Sequence, residues 1–297
     1  MRPQDQCLGS CTTDGVDGHD HCEADLGMHL GMHSASIEPP FDEDTHAFYR
    51  DVLATLSAEG VPFLLGGGYA MRHWTGIARD SKDLDLFVRA EDRERALAVM
   101  DTRGYFTSTP FPHWLSKIYC EDLYVDVIFN SGNGLTKVDE GWFDNAVDGR
   151  LLGVPIKISP AEETLWSKAF VIERERCDAA DVAHLLRARG DKLDWRRLLD
   201  RFGDNARVLF AHLMLFGFIY PGETAKVPRW VLDELYEGTK NEKVPVADLC
   251  RGTLISRQQF LVDLERWGYK DARSELGVMR PSAIAIWTAA IADNKPR

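Results

Sequence analysis

Two aspartates, Asp83 and Asp85, stand in an alternating run, Asp83-Leu84-Asp85-Leu86-Phe87-Val88. On a strand, Leu84, Leu86 and Val88 point one way and the two carboxylates the other. The carboxylates then project from one face about 6–7 Å apart along the chain. Holding two like charges there is costly unless a cation neutralises them. One or two Mg²⁺ ions suit that geometry, with Mn²⁺ as a substitute, because such ions take oxygen ligands and leave room for substrate phosphates. A third candidate, Asp126, lies in Leu123-Tyr124-Val125-Asp126-Val127-Ile128-Phe129. There the odd-numbered residues form an apolar face and Asp126 sits opposite, beside Tyr124 and Ile128.

The elements needed to position these groups are legible around them. Phe63-Leu64-Leu65 reads as a short strand that breaks into Gly66-Gly67-Gly68. Glycines after a strand let backbone approach a ligand and turn N–H groups toward phosphate. Tyr69 to Trp74 reads as a helix ending near Gly76, and the Asp-x-Asp strand follows.

Strand, glycine turn, helix, Asp-x-Asp strand and later single-Asp strand resemble the nucleotidyltransferase superfamily that shares the DNA polymerase β palm. The signature positions fall on Gly67, Gly68, Asp83, Asp85 and Asp126. Arg79-Asp80-Ser81-Lys82-Asp83-Leu84-Asp85 is similar to the Arg-x-Ser-x-Asp-x-Asp of a bacterial branch containing abortive-infection toxins and antibiotic-modifying enzymes. The resemblance covers about residues 45–190. It implies transfer of a nucleoside monophosphate from an NTP to an acceptor hydroxyl, with release of pyrophosphate. Asp83, Asp85 and Asp126 would be the catalytic, metal-binding carboxylates, and Gly67, Gly68, Arg79 and Ser81 would bind the nucleotide. The acceptor in such families is a small molecule, a protein or a tRNA end, and this sequence does not separate them.

Two other readings fit parts of the pattern. A glycosyltransferase also uses Asp-x-Asp to hold a nucleotide-sugar, although the glycine turn and third aspartate argue against it. A non-catalytic nucleotide-binding module would share the fold, and the presence of all three carboxylates weighs against that.

Downstream, Ser159-Pro160-Ala161-Glu162 reads as a capping box, with Ser159 as N-cap and Glu162 as its partner. Lys168 falls within the apolar arc of the helix that follows. The resemblance makes it a phosphate contact; a lysine snorkelling to the surface has the same pattern. Asp178 and Asp181 echo an acidic pair of that branch, and equally fit N-cap and N3 of the next helix.

The expected architecture is α+β: a small mixed sheet with flanking helices over residues 41–159, then a helical bundle over 160–297. Helices are predicted from Asp42 to Ala58, over 91–103, two within 194–217, over 228–239 and 253–268, and from Ser282 to Ala292. A hairpin is predicted around Gly153. Residues 1–40 lack periodicity and read as a disordered acidic tail. Its His19, His21, Cys22, His29 and His33 are transition-metal candidates without zinc-finger spacing.

The 297-residue chain carries 47 acidic against 35 basic residues, a net charge of −12. Half of that excess comes from the tail, with seven acids and one arginine. Duplex DNA is therefore not an expected partner, since phosphate contacts need Lys and Arg. Six scattered cysteines without Cys-x-x-Cys point to a reducing cytoplasm. The N-terminus is polar where a secretory signal needs an apolar core. Residues 208–220, the longest apolar stretch, are too short to span a bilayer, so no membrane partner is expected.

Overall fold

A computed structural model describes residues 42–78, 83–241 and 248–293. The tail with its His/Cys set, and Arg79 and Ser81, lie outside the described residues.

Helix α1 (Glu43–Ala58) starts where Asp42 accepts a 2.8 Å hydrogen bond from the Thr45 N–H, an N-cap contact. It stops before Gly60, whose φ is +63°. The chain continues through β1 (Leu64–Leu65), α2 (Gly67–Thr75), β2 (Leu84–Phe87), α3 (Arg93–Thr102), β3 (Phe106–Phe111), β4 (Leu115–Cys120) and β5 (Leu123–Ile128). After α4 (Glu140–Asp144) comes the hairpin β6 (Val147–Leu151) and β7 (Val154–Ile158). Its two-residue turn, Leu152-Gly153, has φ of +52° and +76°, the twist-matched geometry of tight hairpins.

The seven strands form one sheet in the order β3-β4-β5-β2-β1-β7-β6. β2 runs parallel to β5 and β1 parallel to β7; the other neighbours are antiparallel. On one face Leu84, Leu86, Val88, Ile118, Val125 and Val127 pack into a core with Val52, Leu53 and Leu56 of α1 and Ala96 and Met100 of α3. Each fully buried side chain of this kind contributes roughly 1.5–3 kcal/mol. A one-residue slip of β2 would exchange Leu84 and Leu86 for carboxylates, so the core locks the register.

The second face carries Leu64 and Phe87 against the helices that follow. These are α5 (Ala161–Ala169), α6 (Ala179–Arg189), α7 (Trp195–Phe202), α8 (Ala206–Ile219) and α9 (Arg229–Asn241). A last segment holds a parallel two-strand ribbon, β8 (Leu249–Cys250) with β9 (Lys270–Asp271), flanked by α10 (Leu261–Arg266), α11 (Ala272–Glu275) and α12 (Pro281–Asp293). This is the expected α+β architecture. No helix among the described residues is long and apolar enough to cross a membrane.

Two local expectations fail for identifiable reasons. The capping box at Ser159 does not form: Pro160 is the N-cap residue, and the Ser159 hydroxyl meets Thr164 Oγ1 at 3.1 Å. Glu162 instead accepts from the Asp194 N–H at 2.7 Å and pairs with Arg197 at 2.6 Å. Nor is 253–268 one helix; a 3₁₀ turn at Arg251–Leu254 precedes the short α10. Glu173 accepts from the Arg257 N–H at 2.8 Å, and Ser256 Oγ accepts from the Gln259 N–H at 3.1 Å. Side chains have taken backbone donors that a continuous helix would use.

Candidate active site

The apolar alternation of β2 and β5 puts their carboxylates on the face opposite α1 and α3. Parallel pairing sets Asp85 directly beside Asp126, on strands about 4.8 Å apart. Asp83 lies one residue before β2, and the Tyr124 hydroxyl hydrogen-bonds to it. Burial pushes the Asp85 carboxyl up to about 7; the Asp126 charge adds to this, while Arg176 and Lys168 pull against it. Asp126 is also raised by burial, against the opposing hydrogen bond from Lys117.

The glycine run crosses immediately beside Asp85. Gly66 N–H donates to the Asp85 carbonyl at 2.9 Å, and Gly66 O already accepts from Ala70 N–H at 3.0 Å. Strand thus becomes helix within one residue, and α2 begins inside the glycines rather than after them. Gly67 has φ +52°, and a Cβ there would stand 1.7 Å from Asp85 Oδ2. Only glycine fits on both counts. The first-turn N–H groups of α2 have no partner within the helix and can receive an anion.

The facing wall carries paired charges, Lys168 and Arg176 with Asp178 and Asp181. Lys168 Nζ reaches Asp178 Oδ2 at 3.1 Å and Asp181 Oδ2 at 2.6 Å, with its own side chain 12% exposed. Arg176 grips Asp178 through two bonds of 3.1 and 3.0 Å. The capping interpretation of this pair gives way to that contact. Asp178 occupies the N-cap position of α6 but makes no side-chain cap bond. Burial would raise Asp178, yet Arg176 and Lys168 hold it below the usual carboxylate range.

Between the walls lies a cavity of about 740 Å³. Gly67, Gly68, Asp83, Asp85, Asp126 and Lys168 all line it. The structure also places there residues that sequence reasoning missed: Trp114, the Asn130–Asn133 loop, Arg176, and Arg257 and Trp287 from the C-terminal segment. Arg257 stacks over the Trp287 ring at 4.5 Å. Trp287 in turn meets Trp114 edge-on at 5.3 Å. Only the aromatic clustering of Phe111, His113 and Trp114 offered a sequence signal for this wall.

Among the described residues no three His, Cys, Asp or Glu side chains form a ready-made metal cage. Lys117 Nζ holds Asp126 Oδ1 at 2.5 Å. The donor set still fits Mg²⁺ or Mn²⁺: the carboxylates offer oxygen only, they line one cavity wall, and burial together with the Asp126 charge raises Asp85. Mg²⁺ commonly uses one or two carboxylates and completes its shell with water and phosphate oxygens. Asp83 and Asp85, with Asp126, could hold it in that way.

A family model described as an uncharacterised nucleotidyltransferase matches residues 44–215. No curated protein matches the chain. Among solved structures, the antibiotic-resistance factor ANT(2'')-Ia is 16% identical, with 61% of this chain and 95% of that one covered at a TM-score of 0.38. The lincosamide antibiotic adenylyltransferase LnuA is 18% identical, covering 48% and 96% at 0.34. JHP933 from Helicobacter pylori is 12% identical, covering 67% and 97% at 0.33.

Proposed function

The chain belongs to the nucleotidyltransferase family whose model spans its residues 44–215, and from that premise we propose that it transfers a nucleoside monophosphate from an NTP to an acceptor hydroxyl. The observation that carries the reading is the cross-strand pair Asp85–Asp126 with Gly67 packed against Asp85. The acceptor oxygen attacks the α-phosphorus in line, the bond to the bridging β-phosphate oxygen breaks, and pyrophosphate leaves.

The chain's own groups divide this work by wall. Gly67 and Gly68, at the start of α2, present backbone N–H groups to the phosphates. Lys168 and Arg176 face them from α5 and the loop before α6 and offset the negative charge that pyrophosphate carries away. Asp126 lies on the far side of Asp85 from the glycines. Its raised affinity for protons suits it to accept the proton of the acceptor hydroxyl. When bound by Asp83, Asp85 and Asp126, Mg²⁺ or Mn²⁺ would supply positive charge for the attacking and leaving oxygens. The net charge of −12 leads us to exclude duplex DNA as acceptor.

A non-catalytic nucleotide-binding module is the second reading, and the engagement of Asp126 by Lys117 is the observation in its favour. One experiment separates the two. The protein is incubated with each α-labelled NTP and Mg²⁺ in cell lysate, and both the labelled fraction and pyrophosphate are measured. Transfer that falls about 10²–10³-fold in Asp85→Asn supports the enzyme. Nucleotide binding without pyrophosphate release from any NTP supports the module, and transfer that persists in Asp85→Asn removes this site from the reaction.

A further inference from the structure

Lys117, Asp126 and Asp85 form one row across three strands. Lys117 of β4 is registered opposite Asp126 of β5, which is registered opposite Asp85 of β2. All three side chains project from the sheet face that lines the cavity. The Lys117 ammonium is bracketed: Asp126 Oδ1 lies 2.5 Å away, and the Tyr124 ring centroid 3.7 Å away. Tyr124 in turn hydrogen-bonds Asp83. A single lysine therefore touches the third carboxylate and, through one ring, the first.

We propose that Lys117 is the resident counter-cation of this site, holding Asp126 until a divalent cation arriving with the nucleotide displaces it. This rests on the nucleotidyltransferase reading of the same carboxylates. Without a bound cation, Asp85 and Asp126 are cross-strand neighbours that repel when both are ionised, and a nearby positive charge relieves this without a proton being taken up. Lysine suits an exchangeable role better than arginine. Its compact charge rides on a flexible stem and lacks the planar fork that would fix it to a carboxylate. Lys117 and Asp126 remain 19% and 15% exposed, so the ammonium can withdraw toward solvent while β4 stays paired to β5. The consequence is coupling: metal alone binds weakly, and metal with nucleotide binds well.

The test is Mn²⁺ titration without nucleotide, followed by calorimetry and by the paramagnetic resonance of free Mn²⁺, on wild type, Lys117→Met, Lys117→Arg and Lys117→Met/Asp126→Asn. Lys117→Met should bind Mn²⁺ about tenfold or more tightly than wild type, the scale of a lost charged hydrogen bond. Lys117→Arg, whose fork holds Asp126 more firmly, should bind Mn²⁺ more weakly than wild type, and the double variant should lose the gain. If Lys117→Met does not fold, Lys117→Gln carries the same expectation. An affinity within twofold of wild type in the neutral variant, with transfer still lost in Asp126→Asn, overturns the lysine's role and leaves the enzyme reading intact. Tight Mn²⁺ binding that survives both Asp85→Asn and Asp126→Asn places the cation elsewhere and overturns both.

Discussion

Two groups of buried carboxylates lie on the same side of the sheet and are treated in opposite ways. At the start of α5, Glu163 is 0% exposed and fully engaged. Arg197 Nη1 reaches its two oxygens at 2.7 and 2.6 Å, and Arg201 Nε reaches one at 3.0 Å. Arg201 then grips Asp139 through bonds of 2.6 and 2.9 Å, tying α7 to the segment before α4. At the cavity, Asp85 has another carboxylate as its cross-strand neighbour instead. Glu163 receives its cations from α7, whereas Asp85 has a like charge registered beside it.

The largest effect should come from breaking the first group. Glu163→Gln removes the charge shared by Arg197 and Arg201, which keep Glu162 and Asp139, and should cost about 1.5–3 kcal/mol in urea denaturation at neutral pH. Asp85→Asn, at a partly buried position, should melt at or above the wild-type temperature without divalent cations, because it removes a repulsion. Equal destabilisation by both substitutions would erase the contrast.

Lys168 tests the middle ground, since it pairs with Asp178 and Asp181 while facing the cavity. Lys168→Met should raise KM for the NTP by about tenfold, the scale of one charged hydrogen bond. It should also lower the melting temperature, because Asp178 and Asp181 each lose one cationic contact. Lys168→Met/Asp181→Asn should recover stability but not KM. A double variant that restores both would make Lys168 a structural residue only.

The smallest effect is expected at the surface, where charge pairs serve the fold but water screens them. Arg103 hydrogen bonds, opposed by partial burial and helped by Tyr105, hold the Asp51 carboxyl below its usual 3.8. A lowered folded pKa contributes stability above the unfolded value and loses it as pH falls through the folded one. Melting curves of wild type and Asp51→Asn should therefore differ above about pH 4 and converge in stronger acid. The gap should be no more than about 1 kcal/mol, given how exposed Arg103 is. A gap that widens in acid would reverse the sign of this contribution.

Three of the carboxylate site's features follow from local rules that the sequence carries by itself. Alternation set Asp83 and Asp85 on one face because Leu84 and Leu86 must be buried. Likewise Val125 and Val127 turned Asp126 away from the core. The glycine run marked a close backbone approach, and Gly67 against Asp85 is that approach. Helix α1 and the Leu152-Gly153 hairpin were legible for the same reason: caps and turns are decided within a few residues.

Only the tertiary structure decided which groups meet. The parallel pairing of β2 with β5 brings Asp126 opposite Asp85 across an intervening helix and two strands. The same sheet seats Lys117 on Asp126, a partner no spacing announces. Lys168 lines the cavity, but its two aspartates come from the N-cap and first turn of the next helix, and their affinity for it outweighed capping α6. Glu162 had the position for a capping box and went to Arg197 and the Asp194 N–H instead. A cap offers a neutral donor, whereas the fold brought α7's arginine within reach of that carboxylate. A capping bond to this carboxylate would also be charge-assisted, but α7 gives it a full cationic charge as well as a backbone N–H. Local sequence proposes a side chain's partner, and the nearest unpaired charge in the folded chain settles it.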